Sequence, residues 1–170
     1  MSDTTQPPSE PVDTKKARGQ RKLRFESIDD ALAEVDRLVQ AEHAGRLKRV
    51  GNWTLGQALG HLAAWVEYSY TGAPLKVPFF IKWILRLQKR KFLYKPMPTG
   101  ARIPGIGGGT LATEPLPLDE AEGRYRRALE RLKSEAPTAL NPIFDVLTHD
   151  EWIALHLRHA EGHLGFLVPA

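Results

Sequence analysis

The chain has 170 residues, 42% hydrophobic and 26% charged, with a net charge of +4. That is the make-up of one soluble globular domain with enough chain to bury a core. It holds no cysteine, which excludes disulfides, iron–sulfur clusters and thiolate zinc sites, so a metal site here must be built from His, Asp and Glu.

The excess positive charge is local. Residues 15–24, KKARGQRKLR, carry six Lys or Arg and no acid, and the remainder is near balance, so the charge alone makes no case for nucleic acid. Residues 1–22 are rich in Pro, Ser and Thr and then in bases, and read as a disordered basic arm ahead of a domain over 23–170. The start has no apolar leader, and no run is apolar for long enough to span a bilayer. The expected location is the cytoplasm.

From there the pattern is helical. Ser27 and Asp30 form a capping-box variant ahead of Ile28, Ala31, Leu32, Val35, Leu38 and Val39, and Gly45 closes that helix. A short extended piece is expected at Leu23–Phe25. Thr54 and Gln57 open a second helix, TLGQALGHLAAWVEYSYTG, which ends near Gly72. Residues 79–93, FFIKWILRLQKRKFL, read as one amphipathic basic helix with its Lys and Arg on the solvated side. Residues 94–118 are dense in Pro and Gly and form a long loop, with IPGIGGGT as a flexible lid over a pocket mouth. Residues 119–136 are helical, acids first and bases later. Thr148 and Glu151 cap the last helix. The expected architecture is all-α: a bundle of four main helices with one extra short helix.

The last helix contains HLRHAEGHLGF, which holds three of the six histidines. At 100° per residue, Trp152, Leu155, His156, His163 and Phe166 fall within about 60° of His159, so the three rings share one stripe facing inward. His159 and His163, at i and i+4, can close on one metal ion. Glu161 points about 200° from His159. This is therefore not the metalloprotease HExxH arrangement, and Glu161 is expected to face solvent. Of the other histidines, His61 is the choice for a third ligand. It lies mid-helix with Gln57, Ala64, Trp65 and Tyr68 on its side, beside a separate apolar face of Leu55, Leu59, Leu62, Val66 and Tyr70. A face of His, Gln and aromatics next to an apolar one suits a pocket wall. The bland alternative is three core histidines satisfied by hydrogen bonds. His43 and His149, at helix ends, look incidental.

GNWTLGQALGHLAAW followed much later by EWIALHLRHAEGHLGF resembles the DinB-like superfamily of four-helix bundles, and within it a bacterial branch of unknown function. The resemblance runs from about Leu23 to the C-terminus. It implies a divalent metal, commonly zinc or nickel, on His61, His159 and His163. It also implies either a transferase or isomerase using a low-molecular-weight thiol such as bacillithiol or mycothiol, or a metal-dependent hydrolase. Dimerisation is common in that superfamily.

Three neutral imidazoles leave a tetrahedral zinc with one open position, as catalysis requires. With no cysteine in the chain, any thiol must arrive as a cosubstrate. The expected activity is on a small-molecule electrophile, with His156 or Tyr68 assisting and Gln57 and Trp65 lining the pocket. A non-catalytic binding or structural protein with an inert metal is the other reading. His156 is an addition to the superfamily pattern, and is read as an orienting or acid–base group or as a hydrogen-bonded core residue. The basic segments are read as solvated faces rather than as nucleic-acid or membrane surfaces.

Overall fold

In the computed structural model, which describes residues 11–98, 100, 103, 106 and 109–170, the helices begin where their caps specify. Ser27 caps α1 (Ile28–His43) in a complete capping box with Asp30. Thr54 caps α2 (Leu55–Thr71) through the Gln57 amide, and Gly72, at φ +87°, ends it. Thr148 and Glu151 form the complete box that opens α6 (His149–Leu164). Between them lie β1 (Leu47–Arg49), α3 (Phe79–Leu87), α4 (Lys89–Tyr94) and α5 (Leu118–Ser134), and β2 (Leu167–Pro169) follows α6. Among the described residues the chain is therefore mostly helical, with six helices and one two-stranded sheet.

The buried core comes from α1, α2, α5 and α6. Val35 and Leu38, Leu55, Leu59, Leu62 and Val66, Tyr125, Leu129 and Leu132, and Trp152, Leu157 and Leu164 meet in one apolar cluster. The apolar face expected on the second helix is the one that packs. β1 and β2 pair antiparallel, Leu47 opposite Pro169 and Arg49 opposite Leu167, and so tie the end of α1 to the end of the chain.

Four expectations are corrected. The single helix over 79–93 is two, broken at Gln88, whose φ of −102° and ψ of 11° interrupt the α geometry. No Gly or Pro marks the break. α3 is tied to the body by Lys82 and Arg86 on Asp145, and α4 by Lys89 on Glu151, with Leu93 buried. The extended piece at Leu23–Phe25 is not a strand, because side chains take its backbone: Phe25 N donates to Glu161, and Arg158 donates to Phe25 O. Glu161 is accordingly buried, not solvent-facing, since the segment before α1 crosses that face of α6 and Arg158 pairs with the carboxylate.

α3 also reverses the expected polarity. Its Lys82 and Arg86 turn toward Asp145, while Phe79, Phe80, Trp83, Ile84 and Leu87 are exposed. Residues 1–10 of the expected arm lie outside the described residues, as does part of the Gly-rich 103–110 stretch, and with it the expected lid. Farther along that arm, Val12 exchanges hydrogen bonds with Asn52, and Arg21 pairs with Glu34 and donates to the Leu167 carbonyl at 2.7 Å. No helix among the described residues is long and apolar enough to cross a membrane.

Candidate metal centre

His61 lies two turns into α2 and is fully buried. His159 and His163 lie one turn apart on α6. Contacts pair His61 with His159, and Ser69 with His156, so moving forward along α2 moves backward along α6 and the two helices run antiparallel. This places the three rings on facing stripes. His159 Nε2 stands 3.2 Å from His61 Nε2 and 3.1 Å from His163 Nε2. The ligand atoms of all three lie within 4.8 Å of one another, and the group can hold a metal ion.

Metal–nitrogen bonds of about 2.0–2.1 Å set nitrogens about 3.3 Å apart at the tetrahedral angle. The two short separations are close to that value. Without a cation the arrangement is awkward. His61 Nδ1 lies 2.8 Å from the Leu111 carbonyl, which can only accept, so the ring's proton sits on Nδ1 and its Nε2 offers a lone pair. His159 Nε2 meets that lone pair and the His163 nitrogen at once, and a single N–H there cannot serve both well. A cation accepting three lone pairs resolves the conflict.

Burial keeps the imidazoles in the neutral form that ligates. It pulls the His61 pKa down, against the opposing backbone bonds of Leu111 and Ala112. Burial, and then the neighbouring His61, bring His163 to about 3. His159 is held well below the usual range by burial and by the three other rings around it. Among the described residues no carboxylate joins the group. A divalent cation here would keep its whole charge and favour an anionic further ligand.

Aromatic rings wall the cluster. Trp53 stacks flat on His163, with centroids 4.9 Å apart and planes at 2°, and meets His61 edge-on at 4.8 Å. Trp65 stands 5.7 Å from His159 and 6.1 Å from His61, and Tyr68 packs edge-on against Trp65 at 5.8 Å. The Trp65 Nε1 donor is buried and has no partner among the described residues. A buried donor left unpaired costs about 1–3 kcal/mol, so it is a place where a ligand oxygen gains a bond.

The other expected site residues are spread wider. Gln57 does not reach the rings; its Nε2 donates to the Thr113 carbonyl at 2.7 Å and holds the loop against α2. His156 is buried one turn from His159, its Nε2 2.7 Å from Ser69 Oγ and its ring stacked on Trp152. Burial lowers its pKa to about 4. The Tyr68 side chain is half-buried beside Trp65. His149 Nε2 lies 2.6 Å from the Leu132 carbonyl, and His43 is exposed near Asp119. Three contributors escape a reading of side-chain pattern. Trp53 precedes the helix and has no periodic partner, Ser69 is an ordinary helix residue, and Leu111 acts through its carbonyl.

Two glycines bring the loop in. A Cβ at Gly56 would stand 2.5 Å from the Leu116 carbonyl oxygen, and one at Gly60 would stand 2.8 Å from Leu116 Cδ1. Bare backbone at Gly56 lets residues 111–118 lie on α2, with the Leu116 side chain over Gly60, which is how the Leu111 carbonyl reaches His61.

No curated protein and no solved structure matches the chain. A family model described as "Protein of unknown function (DUF1569)" matches residues 17–170, and the chain belongs to that family.

Proposed function

We propose that this protein is a divalent-metal-dependent enzyme of the DinB-like kind, with α1, α2, α5 and α6 as its four-helix bundle and zinc or nickel on His61, His159 and His163. Its reaction is the transfer or isomerisation of a small electrophile with a low-molecular-weight thiol as cosubstrate, or the hydrolysis of one. The observation that carries this reading is the convergence of three Nε2 atoms, 3.1 and 3.2 Å apart along the chain of rings, from two antiparallel helices. A bound divalent cation supplies Lewis acidity to an oxygen or sulfur that reaches it. That no carboxylate among the described residues joins the group favours an anionic partner such as a thiolate.

The chain's own residues bind and orient. Leu111 fixes the His61 tautomer, and Trp53 fixes the His163 ring plane. The Trp65 Nε1–H, unpaired among the described residues, is a donor for a substrate oxygen. Tyr68, whose hydroxyl has no hydrogen bond among the described residues, is the proton donor of this reading. His156, with a pKa of about 4, is a weak base at neutral pH, and its role is to position α6 through Ser69. Gln57 holds the loop that carries Leu111.

The second reading, an inert metal pinning α2 to α6, draws on the packing of Trp53, Trp65 and Leu111 around the rings. Cobalt-substituted protein distinguishes the two. The enzyme reading expects its visible spectrum to change on addition of a small thiol or azide, as an open position fills. A spectrum unmoved by either would support the inert site.

A further inference from the structure

The search for sites beyond the histidines leads to α3 and α4. Between Glu67 and Glu114 the sequence has no Asp or Glu, yet it has eight Lys or Arg. α3 is held to the body along one side, where Ile81 and Leu85 are half-buried and Lys82 and Arg86 meet Asp145. Its other side, an arc of about 140° at helical spacing, presents Phe79, Phe80, Trp83, Ile84 and Leu87. These are among the most exposed large apolar side chains of the described residues: Phe79 is 84% exposed, Leu87 72% and Trp83 66%. Contiguous exposed apolar surface of this kind marks an interaction face.

α4 continues from it with a different chemistry. Arg90, Lys91, Tyr94 and Lys95 line an open cleft of about 630 Å³. Among the described residues these three cations have no ion-pair partner, unlike Lys82, Arg86 and Lys89. Lys76, just before α3, is exposed as well.

We propose that this face docks on an anionic lipid surface, with Phe79, Phe80, Trp83, Ile84 and Leu87 entering the acyl boundary while Arg90, Lys91 and Lys95 pair with lipid phosphates beside them. Trp and Phe beside Leu and Ile on one side, with Lys and Arg flanking them, is the chemistry of a helix lying in the membrane interface. Charge decides between this occupant and a second copy of the chain. A two-fold contact sets a patch against itself, and the acids that reach this one, Asp145 and Glu151, already pair with Lys82, Arg86 and Lys89, so the cations of α4 would meet mainly like charge. An anionic surface pairs them all. Nucleic acid would also pair them, but a duplex backbone leaves five apolar side chains uncovered.

The test uses the full chain with its metal. Flotation is measured with vesicles of phosphatidylcholine alone and of phosphatidylcholine with phosphatidylglycerol, and Trp fluorescence with brominated acyl chains. The expected result is flotation with the anionic vesicles, weakened by salt, with quenching that disappears in Trp83→Phe. The Phe79→Ser/Trp83→Ser variant loses at least roughly tenfold in vesicle affinity with an unchanged helical spectrum. Arg90→Ser/Lys91→Ser loses the preference for anionic vesicles. The proposal is overturned if the protein stays with the soluble fraction. It is equally overturned if Phe79→Ser/Trp83→Ser floats as well as the native chain, or if that variant instead splits a native dimer that ignores vesicles. Binding to single-stranded RNA without binding to vesicles would also overturn it.

Discussion

His159 is the residue on which the site turns, because its Nε2 alone is within 3.2 Å of both other ring nitrogens. The triad was legible in the sequence. Its members lie at i and i+4 on one helix and mid-helix on another, and a helical wheel is enough to aim them. What the wheel could not show is which main-chain atoms arrive from elsewhere, and so the Leu111 carbonyl on His61 went unseen. Glu161 was misread for a related reason. A wheel finds the side away from the histidines, but α6 is covered there too, by Phe25 and its neighbours. His156 gives a prediction at this scale. Its pKa falls from 6.5 to about 4 on burial, so the unfolded chain binds the proton more readily. The stability this residue contributes is present above pH 6.5 and is lost as pH falls toward 4, by on the order of 3 kcal/mol. Urea denaturation of metal-free protein at pH 7 and pH 4 should therefore show a larger loss in the native chain than in His156→Asn. Equal losses would mean that His156 is not held neutral.

At the scale of elements, α1, α2 and α6 were legible because their starts are written in caps: Ser27, Thr54 and Thr148 each accept from the amide three residues on. The second helix departs in one detail. Gln57 leaves its half of the capping box unmade and bonds the Thr113 carbonyl instead. Tertiary contact overrides the local motif, as it does at Gln88, where two anchored ends break a segment with no breaker residue. The docking of loop 111–118 on α2 depends on Gly56 more than on Gly60. In an open helix Gly→Ala gains about 1 kcal/mol. At Gly56 the new methyl meets a backbone oxygen that cannot give way, whereas at Gly60 it meets the tip of the Leu116 side chain. Gly56→Ala should lower both the melting temperature and the metal affinity, and Gly60→Ala should change them much less. Thermal melts and a metal titration read both effects. Similar behaviour of the two variants would contradict the account of loop docking.

Over the whole molecule, the mostly helical class followed from the dominance of 3.6-residue periodicity, and the two three-residue strands were too short to register. The polarity of α3 was not legible. Its pattern shows an apolar side and a basic side, and nothing local says which side the body takes; Asp145, far along the chain, decides it. The three-histidine group spans α2 and α6, so a cation bound there only by the folded state should stabilise the entire fold. At a free metal concentration of 100 times Kd the gain is about 2.7 kcal/mol. Chelation and dialysis should lower the melting temperature, and adding back zinc or nickel should restore it. A melting temperature indifferent to chelation would mean that no cation is held in common by the two helices.

The most direct test of the central claim is elemental analysis of the purified, untagged protein beside His159→Ala. The account predicts near-stoichiometric divalent metal in the native chain and little in the variant, with the helical spectrum retained in both. Little metal in the native protein, even after incubation with excess ions and desalting, or equal metal in the two, would contradict it.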